Sequence, residues 1–207
     1  MKIAVTTLAI AALTSAPAQA VVIHDTFAPG DTFSFTQGHM ATSGTSTQPP
    51  TMLAVPFTVT APNLALDQII FAASWSGNAL GYMGIHADSG SGTPGAALET
   101  LPVFLFMSFP NNPVTIYMQS QSNPALTQGS TYWAVLSVPA STSFKWYDNV
   151  IGATGFSSHT PSSGWTVDST AGRQPVLRIE GQAVPAPGAC VALLSAGLCL
   201  ARRRRVA

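Results

Sequence analysis

The sequence predicts an all-β domain with the architecture of an antiparallel β-sandwich, similar to a jelly roll. Apolar and polar residues alternate over many short segments, and clusters rich in Gly, Pro, Asn and Ser separate those segments. No stretch between residues 21 and 182 keeps the period of an amphipathic helix. About nine short strands joined by such turns are typical of a sandwich or a jelly roll.

The predicted strands follow one another along the chain with polar turns between them. In chain order they cover residues 32–36, 52–59, 68–73, 82–87, 98–107, 114–119, 131–138, 143–147 and 165–167, with a last strand around Leu177 and Ile179. Pro56 predicts that part of the second strand is an edge or a bulge, because proline cannot donate to a strand ladder. The polar residues 36–51 predict a long loop.

Alternation also predicts which face of each strand points into the core. Val114, Ile116 and Met118 share one face of their strand, opposite Tyr117 and Gln119. Several other strands alternate in the same way, which favours sheets with one face buried.

Composition excludes two classes of protein. Only 8% of the 207 residues are charged, and eight Lys and Arg balance eight Asp and Glu. A binder of nucleic acid with a basic face is therefore excluded. A charge-rich disordered chain is excluded too, since 46% of the residues are hydrophobic.

Residues 1–20 predict a secretory signal peptide. Lys2 gives a minimal basic start, an apolar run covers residues 3–13, and Ala18 and Ala20 form the small-x-small site that signal peptidase needs. We expect cleavage before Val21. An ordinary N-terminal strand or helix is the alternative.

Residues 183–207 predict a membrane-associated tail in three parts. These are a stiff segment (Val184, Pro185, Ala186 and Pro187), an uncharged run of 14 residues, 188–201, and a basic cluster (Arg202, Arg203, Arg204 and Arg205). As a transmembrane helix the run is about 21 Å long, shorter than the ~30 Å hydrocarbon core, but snorkelling arginines make a span feasible. The positive-inside bias then places the arginines in the cytoplasm and the preceding domain outside. A plain membrane tail and a buried helix with a basic end are the alternatives.

This tail resembles the PEP-CTERM sorting signal of exported bacterial proteins. Ala186 stands where that signal usually has Glu between two prolines. The resemblance implies that a membrane-embedded exosortase recognises and processes the tail. It further implies transient residence in the inner membrane of an exopolysaccharide-producing Gram-negative bacterium, followed by display in the cell envelope, at the cell surface or outside the cell.

The exported domain is expected at residues 21–182. It holds three basic and eight acidic residues, which gives a net charge of about −5. Both cysteines, Cys190 and Cys199, fall in the tail, so the domain has no disulfide although it is bound for an oxidising compartment. Its stability must come from a packed core, and a domain of about 160 residues is large enough to bury one.

The domain also resembles the choice-of-anchor domains that precede such tails, the type R domain in particular. The resemblance runs in order through Val55-Pro56-Phe57-Thr58, Gly84-Ile85-His86-Ala87-Asp88-Ser89-Gly90, Gly95-Ala96-Ala97-Leu98, Leu126-Thr127-Gln128-Gly129-Ser130-Thr131-Tyr132-Trp133, Gly164-Trp165 and Pro175-Val176-Leu177-Arg178-Ile179-Glu180-Gly181. It implies a surface β-sandwich and supplies no activity.

No catalytic residues are predicted. Asp88-Ser89-Gly90-Ser91-Gly92 is similar to the nucleophile loop of trypsin-like serine proteases, but His86 lies two residues away instead of on a distant element. A turn between strands explains these residues. The only two Glu, Glu99 and Glu180, do not suggest the carboxylate pair of a glycoside hydrolase.

No cofactor is predicted, with calcium left open. The four histidines, His24, His39, His86 and His159, lack the spacing of zinc ligands. The pair His24-Asp25 could bind a metal weakly, and a solvated pair is the simpler interpretation. A calcium ion would use Asp88, or Asp148 with Asn149.

Aromatic residues give the best indication of a ligand. Trp146, Tyr147 and Trp165, supported by Trp75 and Trp133, would suit a platform that stacks on sugar rings. The alternative is that these rings fill or border the core of the sandwich.

Two functions follow from these observations. The first is an exported, non-catalytic protein of the cell envelope or extracellular matrix, with signal peptidase, exosortase and the membrane as partners. The alternative is a carbohydrate-binding module that uses Trp146, Tyr147 and Trp165 on exopolysaccharide. An unrecognised hydrolase is a third, weaker hypothesis.

Overall fold

A computed structural model describes residues 20–43, 51–76, 79–105, 112–138, 142–160 and 164–184. These residues form 13 strands and no helix, so they include none that is long and apolar enough to cross a bilayer. The predicted signal peptide before Ala20 and the tail from Pro185 onward lie outside the described residues, as do both cysteines.

The all-β prediction is confirmed. In chain order the strands are β1 (Ala20–Asp25), β2 (Gly38–Thr42), β3 (Met52–Thr58), β4 (Leu64–Ser76), β5 (Ala79–Asp88), β6 (Pro94–Leu105), β7 (Val114–Gln119), β8 (Ala125–Leu126), β9 (Thr131–Ser137), β10 (Ser143–Tyr147), β11 (Thr154–Thr160), β12 (Gly164–Arg173) and β13 (Leu177–Ala183).

The strands form two antiparallel sheets, consistent with the predicted β-sandwich. The seven-stranded sheet has the order β1-β13-β4-β10-β2, with β7 and β8 also paired to β4. Residues 68–71 of β4 pair with both β13 and β7, so these two strands lie on opposite sides of β4. The six-stranded sheet has the order β12-β11-β3-β9-β5-β6. Strands β6 and β7 are therefore edge strands of different sheets.

One large apolar core contains inward-facing side chains of both sheets. Trp146 of β10 lies in it with no exposed surface. Its indole N–H donates to the Val176 carbonyl oxygen at 2.7 Å, and its ring meets Phe71 edge-on at 5.8 Å. The predicted inward residues Leu177 and Ile179 are also fully buried, which confirms the alternation of the last strand.

A smaller core lies on the outer face of the seven-stranded sheet, under the connection between β1 and β2. We call it the outer cluster; its members are Phe27, Phe33, Ile70, Ala72, Tyr147 and Val176. The strand predicted at residues 32–36 is wrong. That segment contains only an isolated bridge between Ala28 and Thr32, because the Phe33 side chain covers the cluster while the Ser34 N–H donates to the Asp148 carbonyl oxygen.

The long loop predicted at residues 36–51 is also wrong in part. It contains β2, which pairs with β10 and buries only Ala41. Sequence alternation did not find β1 or β11 either. Of the β11 side chains that the structure describes, Phe156 is the one in the main core, so the strand's pattern carries little hydrophobic signal.

Several other predictions are confirmed. β7 and β10 have the predicted bounds. Pro56 lies opposite Trp133 of β9, whereas β11 pairs with β3 only at residues 52–54. Pro56 thus occupies a part of β3 that has no strand on its second side among the residues the structure describes, as its missing N–H requires.

Trp146→Ala is expected to lower the free energy of unfolding by about 3–5 kcal/mol, because it opens a cavity in the core and removes the donor to Val176. Urea unfolding measures this change. Val167→Ala is the control, since Val167 is 53% exposed, and should change stability by less than about 0.5 kcal/mol. Equal stabilities for the two variants would contradict the placement of Trp146 in the core.

Candidate functional site

The three residues of the predicted sugar platform do not share a surface. Trp146 lies in the main core, and Tyr147 points from the opposite face of β10 into the outer cluster, so both rings are fully buried. Trp165 of β12 packs near Trp133 on the six-stranded sheet. Neighbouring strand residues point to opposite faces, and both faces of β10 are covered. The structure therefore does not join these residues into one exposed platform.

A different feature offers space for a ligand. A groove of about 370 Å³ opens between β6 and β7, where edge strands of the two sheets lie side by side. We call it the edge groove; residues 101–104, 116–119 and 121 line it. Its walls come from both sheets, so its shape depends on how the two sheets pack.

Strand residues at the edge groove alternate between the main core and the outer faces of the two sheets. Phe104 is 60% exposed and Tyr117 is 59% exposed, whereas Val103 and Met118 belong to the main core. The Gln119 side chain is held in place, because its Nε2 donates to the carbonyl oxygen of Asp67 at 2.9 Å and to its Oδ1 at 2.7 Å. The sequence predicted that Tyr117 and Gln119 face outward, but nothing in either strand's pattern placed β6 beside β7.

Glu99 joins the two sheets beside this groove. Its carboxylate accepts hydrogen bonds from the Ser120 hydroxyl at 2.6 Å and from the backbone N–H groups of Gln121 and Ser122 at 2.7 Å each. Only 8% of Glu99 is exposed. Burial by itself raises the pKa of Glu99, but these hydrogen bonds outweigh it and hold the pKa below its usual value. Glu99 is thus an ionised link between β6 and the turn after β7.

The loop between β5 and β6 is held together by local hydrogen bonds. Asp88 Oδ1 accepts from the Trp133 indole at 2.8 Å, and its Oδ2 accepts from the Gly90 N–H at 2.8 Å. The bond from Trp133 is the main reason that the pKa of Asp88 is lowered. Ser89 Oγ lies 2.7 Å from Ser91 Oγ, whereas His86 Nδ1 lies 2.9 Å from the Gly95 carbonyl oxygen. These contacts of Ser89, Ser91 and His86 stabilise the turn between β5 and β6 that the sequence predicted.

The candidate calcium ligands do not gather a full ligand set. His39 Nε2 lies 3.2 Å from Asp148 Oδ1 and 3.1 Å from the Arg173 carbonyl oxygen. The Asn149 amide binds the backbone of Ala153 and Gln174 instead. Within the described part of the chain, no three His, Cys, Asp or Glu side chains converge as a metal site would need.

His24 and Asp25 have separate surroundings. His24 Nε2 is buried, and burial lowers the pKa of His24 more than the nearby charge of Asp25 raises it. Asp25 pairs instead with Arg178, whose Nε lies 2.8 Å from Asp25 Oδ2. Arg178 also reaches Asp31 Oδ1 at 2.6 Å, so this ion-pair group ties β13 to β1 and to the turn that follows it.

Comparison of the chain with protein-family models, with curated proteins and with solved structures found no match.

Glu99→Gln is expected to lower the free energy of unfolding at pH 7 by about 1–3 kcal/mol, because one charged acceptor becomes a donor that faces other donors. The folded-state pKa of Glu99 is below its usual value of 4.5. Its contribution is therefore complete above that value and is lost as the pH falls through the lower, folded-state pKa. Urea unfolding at pH 7 and pH 3 should show the difference between wild type and variant shrinking at the lower pH.

Glu180→Gln is the matched control, since Glu180 is on the outward face of β13 and is only partly buried. It should change stability by less than about 0.5 kcal/mol at either pH. A Glu99→Gln variant as stable as wild type at pH 7 would show that this link does not hold the sheets together.

Proposed function

We propose that this protein is exported, has no catalytic role and serves in the cell envelope after an exosortase processes its tail. The observation that carries the proposal is the position of the tail relative to the fold. β13 ends at Ala183, two residues before Pro185. The segment that begins at Pro185 thus follows the last described strand, and removing residues 185–207 would leave each strand of the described residues intact.

The two ends of the domain lie next to each other. β1 and β13 are antiparallel neighbours, with Ala20 opposite Gln182 and Val21 opposite Gly181. Membrane segments attached to both ends would therefore leave the domain at one place and hold it at one bilayer surface. Cleavage before Val21 would remove one paired residue from β1 and leave the others.

We infer further that the sandwich is a jelly roll. One sheet places β1 and β2 beside β13 and β10, followed by β4 and β7; the other contains the run β3-β9-β5-β6. Most successive strands therefore alternate between the two sheets, as they do in a pair of Greek keys. β11 and β12 extend the second sheet beyond β3.

Replacing arginines 202–205 with serine is expected to leave export intact but prevent normal processing, because the basic cluster fixes the tail in the membrane. Intact mass spectrometry of the protein, from hosts with and without an exosortase, measures both termini. Wild type should begin at Val21 and be shorter at its C-terminus only where the exosortase is present.

Arg173→Ser is the matched control, since Arg173 is an exposed arginine at the end of β12. This variant should be processed like wild type. An identical C-terminal mass of the wild-type protein in both hosts would refute exosortase processing.

A further inference from the structure

We propose that, while the tail is in the membrane, the end of the sandwich from which the tail leaves rests against phospholipid headgroups. We call this part of the domain the exit end; it comprises residues 20–21, 59–64, 125–130 and 181–184. This contact requires a tail that lies in a bilayer, so the inference rests on the proposed function.

Hydrogen bonds gather the segments of the exit end. The Val184 N–H donates to the Asn63 carbonyl oxygen at 2.8 Å, which fixes Val184 beside the turn between β3 and β4. The Gly129 N–H donates to the Val59 carbonyl oxygen at 2.8 Å, so the turn before β9 adjoins the same turn. β8 pairs with the first residues of β4, and β1 begins here because it runs antiparallel to β13.

The chain between the fold and the apolar run of the tail is short. Residues 185–187 alone separate Val184 from Gly188, where the uncharged run begins. The four steps from Val184 to Gly188 span at most ~14 Å, even in a fully extended chain. The headgroup layer on each side of a bilayer is roughly 5–7 Å thick. At most about 8 Å would therefore remain between Val184 and the outer boundary of the headgroups.

The length of the apolar run reduces this distance further. A helix of 14 residues is about 21 Å long, roughly 9 Å shorter than the hydrocarbon core. A short run is accommodated when the bilayer thins or when flanking residues enter the interface. Arginines 202–205 have long side chains that reach their headgroups from a buried backbone, whereas Pro185 and Pro187 do not. The proline segment would therefore be drawn into the interface, and the exit end with it.

The charge distribution of the domain favours the same orientation. No residue of the exit end has a charged side chain, and all eight acidic residues of the segment 21–182 lie outside it. Anionic lipids would repel the other, acidic surfaces of the domain. Cleavage before Val21 would also leave a cationic α-amino group at the exit end. Val184 is 45% exposed there, so apolar surface faces the membrane as well.

The experiment uses the full chain, purified from cells without an exosortase so that the tail is retained. It is placed in vesicles of phosphatidylethanolamine and anionic phosphatidylglycerol that contain a lipid with a nitroxide on its headgroup, which quenches nearby fluorescent labels. One label is attached at a time, in chains whose other cysteines are replaced with serine. Thr127→Cys carries it at the exit end, and Ser76→Cys is the matched control at the far end of β4; both positions are exposed.

Quenching at residue 127 should be at least about threefold stronger than at residue 76, because the 13 residues of β4 separate the two ends of the sandwich by about 40 Å. Equal quenching at the two positions, or stronger quenching at residue 76, would overturn the inference.

A label on the native Cys199 separates this outcome from a failure of the proposed function. Quenching of that label by a nitroxide on the lipid acyl chains shows that the tail is in the bilayer. Equal quenching at residues 127 and 76 in those vesicles would then overturn the inference and leave membrane anchoring intact. A label on Cys199 that the acyl-chain nitroxide does not quench would refute both the membrane tail and the contact inferred from it.

Discussion

The burial of β4 on both of its faces is the constraint on which the rest of the structure depends. Phe71 points into the main core, whereas Ile70 and Ala72 point into the outer cluster. Strands pair with β4 along both of its sides. Since residues 21–182 contain no cysteine, burial of apolar surface, worth about 25 cal/mol per Å², is the main force that holds this arrangement. The connection between β1 and β2 contributes to this burial, because Phe27 and Phe33 cover the outer face of the seven-stranded sheet.

On the side of the sandwich farthest from β1, hydrogen bonds as well as apolar packing join the two sheets. There the two sheets end in β6 and β7, and Glu99 joins them through three hydrogen bonds beside the apolar core. An ionised acceptor makes stronger hydrogen bonds than a neutral one. The spacing of the edge strands, and with it the shape of the edge groove, therefore depends on an electrostatic contact as well as on packing.

Alternation of apolar and polar residues predicted the strands that bury one face, because the local sequence of such a strand shows which of its side chains are buried. β7 and β13 are examples. Sequence patterns did not predict elements whose pairing or burial depends on a distant segment of the chain. β2 exists as the partner of β10, and Tyr147 is buried because residues near Phe33 cover it. The edge groove could not be predicted either, since it arises from the packing of two sheets and not from a motif.

The pairing of β1 with β13 sets the order in which the domain can be completed. In the described part of the chain, the first strand forms its ladder only with the last, so some 160 residues must be made before that loop can close. Contacts so far apart in sequence form late in folding. A chain that passes through a membrane pore from its N-terminus would keep its leading strand unpaired until Ala183 had emerged. In the proposed export, the ladder between β1 and β13 would therefore be the last to close, after nearly the whole domain had emerged.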